Sequence, residues 1–155
     1  MPADTRKRLI DDIRTSLLEI TTGNGFHQTV KQVLKKSKNT ERETPASYPM
    51  IWMEIGAESS PQPSYETTGD LISSFMIDLV LGLNPPQNND HLDDIEDFIR
   101  DVKAKLYEKP RRIGLDDVQW SVVVAVDEPS MIIDKSYVEA RITVETVLLY
   151  NPADP

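Results

Sequence analysis

The chain has 155 residues, of which 39% are hydrophobic and 28% are charged, as is usual for one globular domain with its own core. It contains no cysteine, which excludes a disulfide scaffold, thiol catalysis and the common cysteine-based zinc sites. No apolar run reaches the length of a membrane span, and no signal segment opens the chain. We therefore expect a protein that is made in the cytoplasm and contacts no membrane.

The formal net charge of −9 is unevenly distributed along the chain. Residues 1–45 carry nine Lys/Arg and six Asp/Glu, whereas the remainder carries eight Lys/Arg and twenty Asp/Glu. The acidic total disfavours general nucleic-acid binding. The asymmetry is compatible either with an uneven solvated surface or with electrostatic docking between copies or partners.

In chain order, the first predicted element is a helix. Residues 4–20, "DTRKRLIDDIRTSLLEI", place apolar residues at helical spacing on one stripe, and the glycines of "TTGNG" end the element. The spacing of the apolar residues in 26–35 is ambiguous. We predict a strand or an extended arm there. Residues 36–48 are polar and rich in breakers, which predicts an exposed loop.

The next element, "MIWMEI" over residues 50–55, is apolar on both faces. A half-buried strand should alternate, so Met50, Trp52 and Glu54 need a cover of their own. One interpretation is a segment of the same chain, such as 57–70, and the other is a neighbouring subunit. Glu54 is costly in such a place unless it is paired; an ion pair is favoured over an acid with a shifted pKa.

Residues 57–70 predict a second exposed loop, and residues 71–83 a long strand with one strongly apolar face. Residues 91–109 predict the most regular helix, with Asp93 and Asp94 at its positive end and Lys103, Lys105 and Lys109 at its negative end.

The last third predicts two strands, near 118–126 and 136–150, joined by a turn. On the second, Glu139, Arg141, Thr143 and Glu145 should form a solvated face. Residues 151–155 predict a frayed tail. No strand–helix–strand unit repeats, so the fold class is α+β: an antiparallel sheet with two helices on one face, in the order α-β-β-β-α-β-β. Residues 1–155 form a single domain, with an ordered core over 5–150.

Candidate catalytic and metal sites are weak. His91, with Asp90, Asp93 and Asp94, is better explained by the dipole of a helix start than by metal ligation. Asp116 and Asp117 are more typical of a turn than of an acid–base pair. No nucleophile elbow and no phosphate-binding glycine loop is present. We expect no enzyme activity, no cofactor, no metal and no catalytic residue.

The arrangement as a whole resembles the tail terminator (tail-completion) proteins of tailed bacteriophages and their equivalents in contractile phage-like machines. The resemblance covers roughly residues 5–150: a helix ending at a glycine turn, "YP" at Tyr48 and Pro49 before an apolar strand, a second long strand, an Asp-rich helix, and final strands ending in "TVLLY". It is one of element order and patterning. The basic central loop and the "NPADP" end do not match the family.

The resemblance implies a virion protein at the tail–neck junction. Such a protein forms a ring, usually a hexamer, on the head-proximal end of the tail tube, where it ends tube polymerisation and meets the neck or connector protein. DNA would pass through its lumen without specific binding. Another neck protein is the nearest alternative; a small acidic enzyme or a binding module is a more distant one.

A ring needs two different complementary patches on each subunit. The sequence offers a basic and an acidic candidate, together with the two unexplained residues of the apolar strand. The predicted interface residues are Lys35, Lys36, Lys38, Arg42, Trp52, Glu54, Asp93, Asp94, Asp97 and Asp101.

Overall fold

A computed structural model describes residues 5–37, 47–60, 62–63, 71–84, 91–108, 118–127, 130–132 and 137–150. Two helices and seven strands lie within these ranges. The helices are α1 (Thr5–Leu18) and α2 (His91–Tyr107). The strands are β1 (Gln32–Ser37), β2 (Met50–Ile55), β3 (Gln62–Pro63), β4 (Leu71–Leu83), β5 (Val118–Val126), β6 (Ser130–Ile132) and β7 (Tyr137–Tyr150).

The strands form one sheet in the order β1-β2-β4-β7-β5, with β3 added to β4 and β6 added to β7. The centre of the sheet is the antiparallel pairing of β4 with β7, which runs without interruption from the Leu71–Tyr150 pair to the Leu83–Val138 pair. All pairings are antiparallel except that of β1 with β2, which is parallel. A parallel pair requires a crossover, and here residues 38–49 provide the connection.

Both helices pack on one face of the sheet and bury their apolar stripes against it. Period-2 alternation sends one side of each long strand to this core. From β4 the buried residues include Ile77, Leu79 and Leu81, and from β7 they include Ala140, Ile142 and Val144. The helices contribute Leu9, Ile13, Leu17, Ile95, Phe98, Ile99, Val102 and Leu106.

The predicted α+β class and the placement of both helices on one face are confirmed. Four details differ. The pairing of β1 with β2 is parallel, whereas an antiparallel sheet was predicted. β1 begins at Gln32 and extends to Ser37, so it starts and ends later than predicted. The segment 57–70 includes β3, and the turn predicted after β5 includes β6. Residues 38–46 and 64–70, most of the two predicted loops, and the tail 151–155 lie outside the described residues.

No helix in the described ranges is long and apolar enough to cross a membrane.

Candidate functional site

The sheet face opposite the helices carries a small aromatic cluster. Trp52 is only 2% exposed, and its ring centroid lies 5.5 Å from that of Tyr137, which stacks in turn on Tyr48 at 5.9 Å. Burial raises the pKa of Tyr48. A Cβ at Gly82 would lie 3.1 Å from Trp52 Cζ3 and 3.2 Å from Tyr48 Cε1. Glycine at this position of β4 therefore makes room for the two rings.

This cluster answers the question raised by the doubly apolar strand β2. Met50, Trp52 and Val80 form its buried floor with Tyr137, and Tyr48 packs on it. The cover that would otherwise come from a neighbouring subunit is supplied by side chains of the same chain. The expectation that a neighbouring subunit covers the side chain of Trp52 is therefore corrected.

Next to the aromatic cluster, the same face carries a network of charges across four strands, β1, β2, β4 and β7. Arg141 Nη1 of β7 donates to Asp78 Oδ2 of β4 at 2.8 Å and lies 3.5 Å from Glu54 Oε2 of β2. Thr143 Oγ1 donates to Asp78 Oδ1 at 2.9 Å. Lys36 Nζ of β1 lies 4.0 Å from Glu54 Oε1. The register of the strands brings these side chains together, because Glu54 is opposite Asp78 in the β2–β4 pairing and Asp78 is opposite Thr143 in the β4–β7 pairing.

The network shows how Glu54 is accommodated. Its partners are cations of its own chain, and it is only 5% exposed. The two buried carboxylates are matched by two cations, an arrangement that stabilises strand register more readily than it supplies a free acid or base. The expectation of a solvated face on β7 is wrong at Arg141 and Thr143, which are half-buried within this network.

The predicted basic patch is divided between the two faces of the sheet. Lys35 Nζ contacts Asp11 Oδ1 of α1 at 2.6 Å, whereas Lys36, its neighbour in β1, points to the opposite face and Glu54. Adjacent strand residues alternate in this way. Lys38 and Arg42 lie outside the described residues. The described part of the segment therefore does not form one continuous basic surface.

The predicted acidic patch on α2 is only partly at the surface. Asp93 is exposed and Asp94 and Asp97 are half-buried, but Asp101 is 3% exposed. Its Oδ1 accepts from the backbone N–H of His27 at 3.1 Å and lies 2.9 Å from His27 Nδ1, and its Oδ2 accepts from the N–H of Gln28 at 2.8 Å. Asp101 therefore ties the segment before β1 to α2, and its expected place on an acidic surface is wrong.

We expect Asp101→Asn to lower the free energy of unfolding by about 1–3 kcal/mol, because an amide nitrogen would replace one acceptor oxygen and leave a backbone donor unmatched. Chemical denaturation measures this change. Asp97→Asn is the matched control on the same helix and should shift stability by less than about 0.5 kcal/mol. Equal effects of the two substitutions would contradict the assigned role of Asp101.

Sequence reasoning missed Asp78, Tyr137 and Tyr48 as members of these clusters. The available signal was the polar Asp78 within an otherwise apolar stretch of β4, which resembles the signal from Glu54 in β2. Pairing the two strands in register would have brought the carboxylates together. The partner Arg141 could then have been sought on the next strand.

Within the described ranges, no group of three or more potential metal-ligating side chains converges. Asp90, Asp116 and Asp117 lie outside those ranges. No model of a known protein family matches the chain, and no curated protein matches it in sequence. Function is therefore argued from architecture and surface chemistry.

Proposed function

We propose that the protein is a tail terminator: a structural virion protein that forms a ring, of six copies by the resemblance, on the head-proximal end of a phage tail tube. There it ends tube polymerisation and presents a surface to the neck or connector protein. The observation that carries the proposal is the architecture, two helices on one face of a largely antiparallel sheet in the expected element order. This is the fold that the resemblance implies.

The interior chemistry supports the same proposal. The carboxylates that the sheet brings together, Glu54 and Asp78, are held by Arg141, Thr143 and Lys36. A catalytic acid or base needs access to a substrate, whereas these groups are buried and paired. Buried carboxylates that are paired within the sheet suit a structural building block better than a catalytic site.

The proposal is tested by mixing purified protein with phage tail tubes assembled in vitro, and imaging them by negative stain. We expect a ring at one end of each tube and arrest of further growth when tube protein is added. Tubes without the protein are the control. Undecorated ends with continued growth would refute the proposal. Binding to the head-side connector instead would identify another neck protein.

A further inference from the structure

A basic groove lies between the start of α1 and the ends of β1 and β2. It encloses about 430 Å³ and is lined by Arg6, Lys7, Lys35, Ile10 and Ile55. Three cations thus surround a small apolar floor. Ile10 and Ile55 are partly buried and also pack against the core, whereas the charge network of the opposite face includes none of the groove residues.

Arg6 is held in position at the groove. Its Nη2 donates to the carbonyl oxygen of Gly56 at 2.6 Å, and its guanidinium carbon lies 4.8 Å from the centroid of the Phe75 ring. Its Nε is buried and has no hydrogen-bond partner in the described chain. An unmatched charged donor is costly. A fixed guanidinium also loses little entropy when it binds a carboxylate.

The electrostatics of the groove favour an anionic partner. The first turn of α1 contains no acidic residue, although acids are preferred at the positive end of a helix; Arg6, Lys7 and Arg8 follow Thr5 instead. Among the described residues, Asp11 forms an ion pair with the lining residue Lys35. A hydrogen bond from Lys35, together with the charges of Lys35, Lys7 and Arg14, lowers the pKa of Asp11, as a positive local field requires.

The first two turns of α2 have the complementary surface. Asp93 and Glu96 are exposed there, and Leu92 at the start of the same helix is 55% exposed. Asp94 and Asp97 add charge, and no ion pair holds any of these four acids within the described residues. Like charges three or four positions apart repel each other. Leu92 of the helix could pack on the apolar groove floor formed by Ile10 and Ile55, and the acids of the helix complement the cations that line the groove.

We propose that the groove receives the first two turns of α2 from a second copy of the chain. Groove and helix are different patches, so the contact is heterologous: it repeats head to tail and forms a ring when the rotation between neighbouring copies closes. This inference rests on the proposed ring function and names the contact that would build the ring. The basic half of the contact is α1 with Lys35, rather than the loop that follows Lys36.

The absence of cysteine permits a direct test by disulfide cross-linking between copies. Lys7→Cys protein mixed with Glu96→Cys protein should form mixed disulfide dimers about tenfold faster than the control mixture of Arg8→Cys with Glu96→Cys, a ratio equivalent to about 1.4 kcal/mol. Arg8 is exposed in the same helical turn but does not line the groove. High salt should reduce the difference. Equal rates at low salt would overturn the proposal.

Reversing the charges of residues 7 and 96 provides a second test of the contact. Lys7→Glu and Glu96→Lys should each weaken self-association measured by sedimentation, and the double variant should regain it. Asp127→Lys, at an exposed end of β5, should have no such effect. Failure of the double variant to recover would overturn the proposal, as would Lys7-dependent binding of a short DNA duplex, which would assign the groove to nucleic acid.

These experiments can refute the proposed contact without refuting the proposed function, and the reverse. If the Lys7→Cys and Glu96→Cys proteins cross-link through the groove but the wild-type protein never decorates tube ends, the terminator role is refuted and the contact remains. If Lys7→Glu protein decorates tube ends as well as wild type, the contact is refuted and the terminator role remains.

Discussion

Trp52→Ala is expected to lower the free energy of unfolding of the isolated chain by about 3–5 kcal/mol, the usual cost of truncating a large buried aromatic side chain. The indole is 2% exposed and packs against Tyr137, and the space it occupies is bounded by the backbone of Gly82. Collapse into the vacated volume would need movement of β4, which is paired on both sides. Urea denaturation at a concentration where the chain is monomeric measures the change.

Tyr107→Ala is the control for Trp52→Ala, because Tyr107 is an aromatic residue that is 52% exposed. Its removal should change the unfolding free energy by less than about 0.5 kcal/mol. A Trp52→Ala chain as stable as wild type, but defective in assembly, would show that a neighbouring subunit and not Tyr137 provides the essential cover.

Arg141→Met is expected to destabilise the chain by about 3–5 kcal/mol, because it leaves the buried carboxylates of Asp78 and Glu54 without their shared cation. The methionine keeps much of the apolar stem, so the loss reports on charge rather than on packing. The unfolding free energy from denaturant titration is the measurement. Arg100→Met, at an exposed position on α2, should have little effect.

A double-mutant cycle separates the charge effect from other causes. Asp78→Asn in the Arg141→Met background should recover part of the lost stability, since one uncompensated charge is then removed. The same substitution in the wild-type chain should destabilise it. Additive effects of the two substitutions would mean that the 2.8 Å contact between Arg141 and Asp78 contributes nothing to stability.

The helices and long strands were predictable because their apolar periodicities are strong. The stripe Ile95, Ile99, Val102 and Leu106 on α2 and the alternation from Ile77 to Leu81 on β4 each identify the face that packs in the core between helices and sheet. The parallel direction of β1 was not predictable. Its residues alternate in the same way whichever direction it runs beside β2, and Val33 is buried in the core in the observed parallel arrangement.

The interactions of the polar residues were less predictable, because they depend on residues distant in sequence. Lys35 and Lys36 are adjacent in the chain, but only the sheet shows that one meets Asp11 and the other Glu54. Asp101 continued a run of helical acids and was interpreted with them, while its actual partners are backbone groups of residues 27 and 28. Counting charged residues in the sequence shows which segments are basic or acidic, but it does not show which of those side chains stay at the surface.

The uninterrupted ladder between β4 and β7 has a consequence for how the chain folds. Every pair in that ladder joins residues separated by a long stretch of sequence, from Leu83 with Val138 to Leu71 with Tyr150. Closing such large loops costs entropy before any pairing is gained, and folding dominated by non-local contacts is slow. During synthesis, β4 leaves the ribosome well before its principal partner exists. The central strands must therefore pair late, and until then the apolar sides of β4 are available to other chains or chaperones.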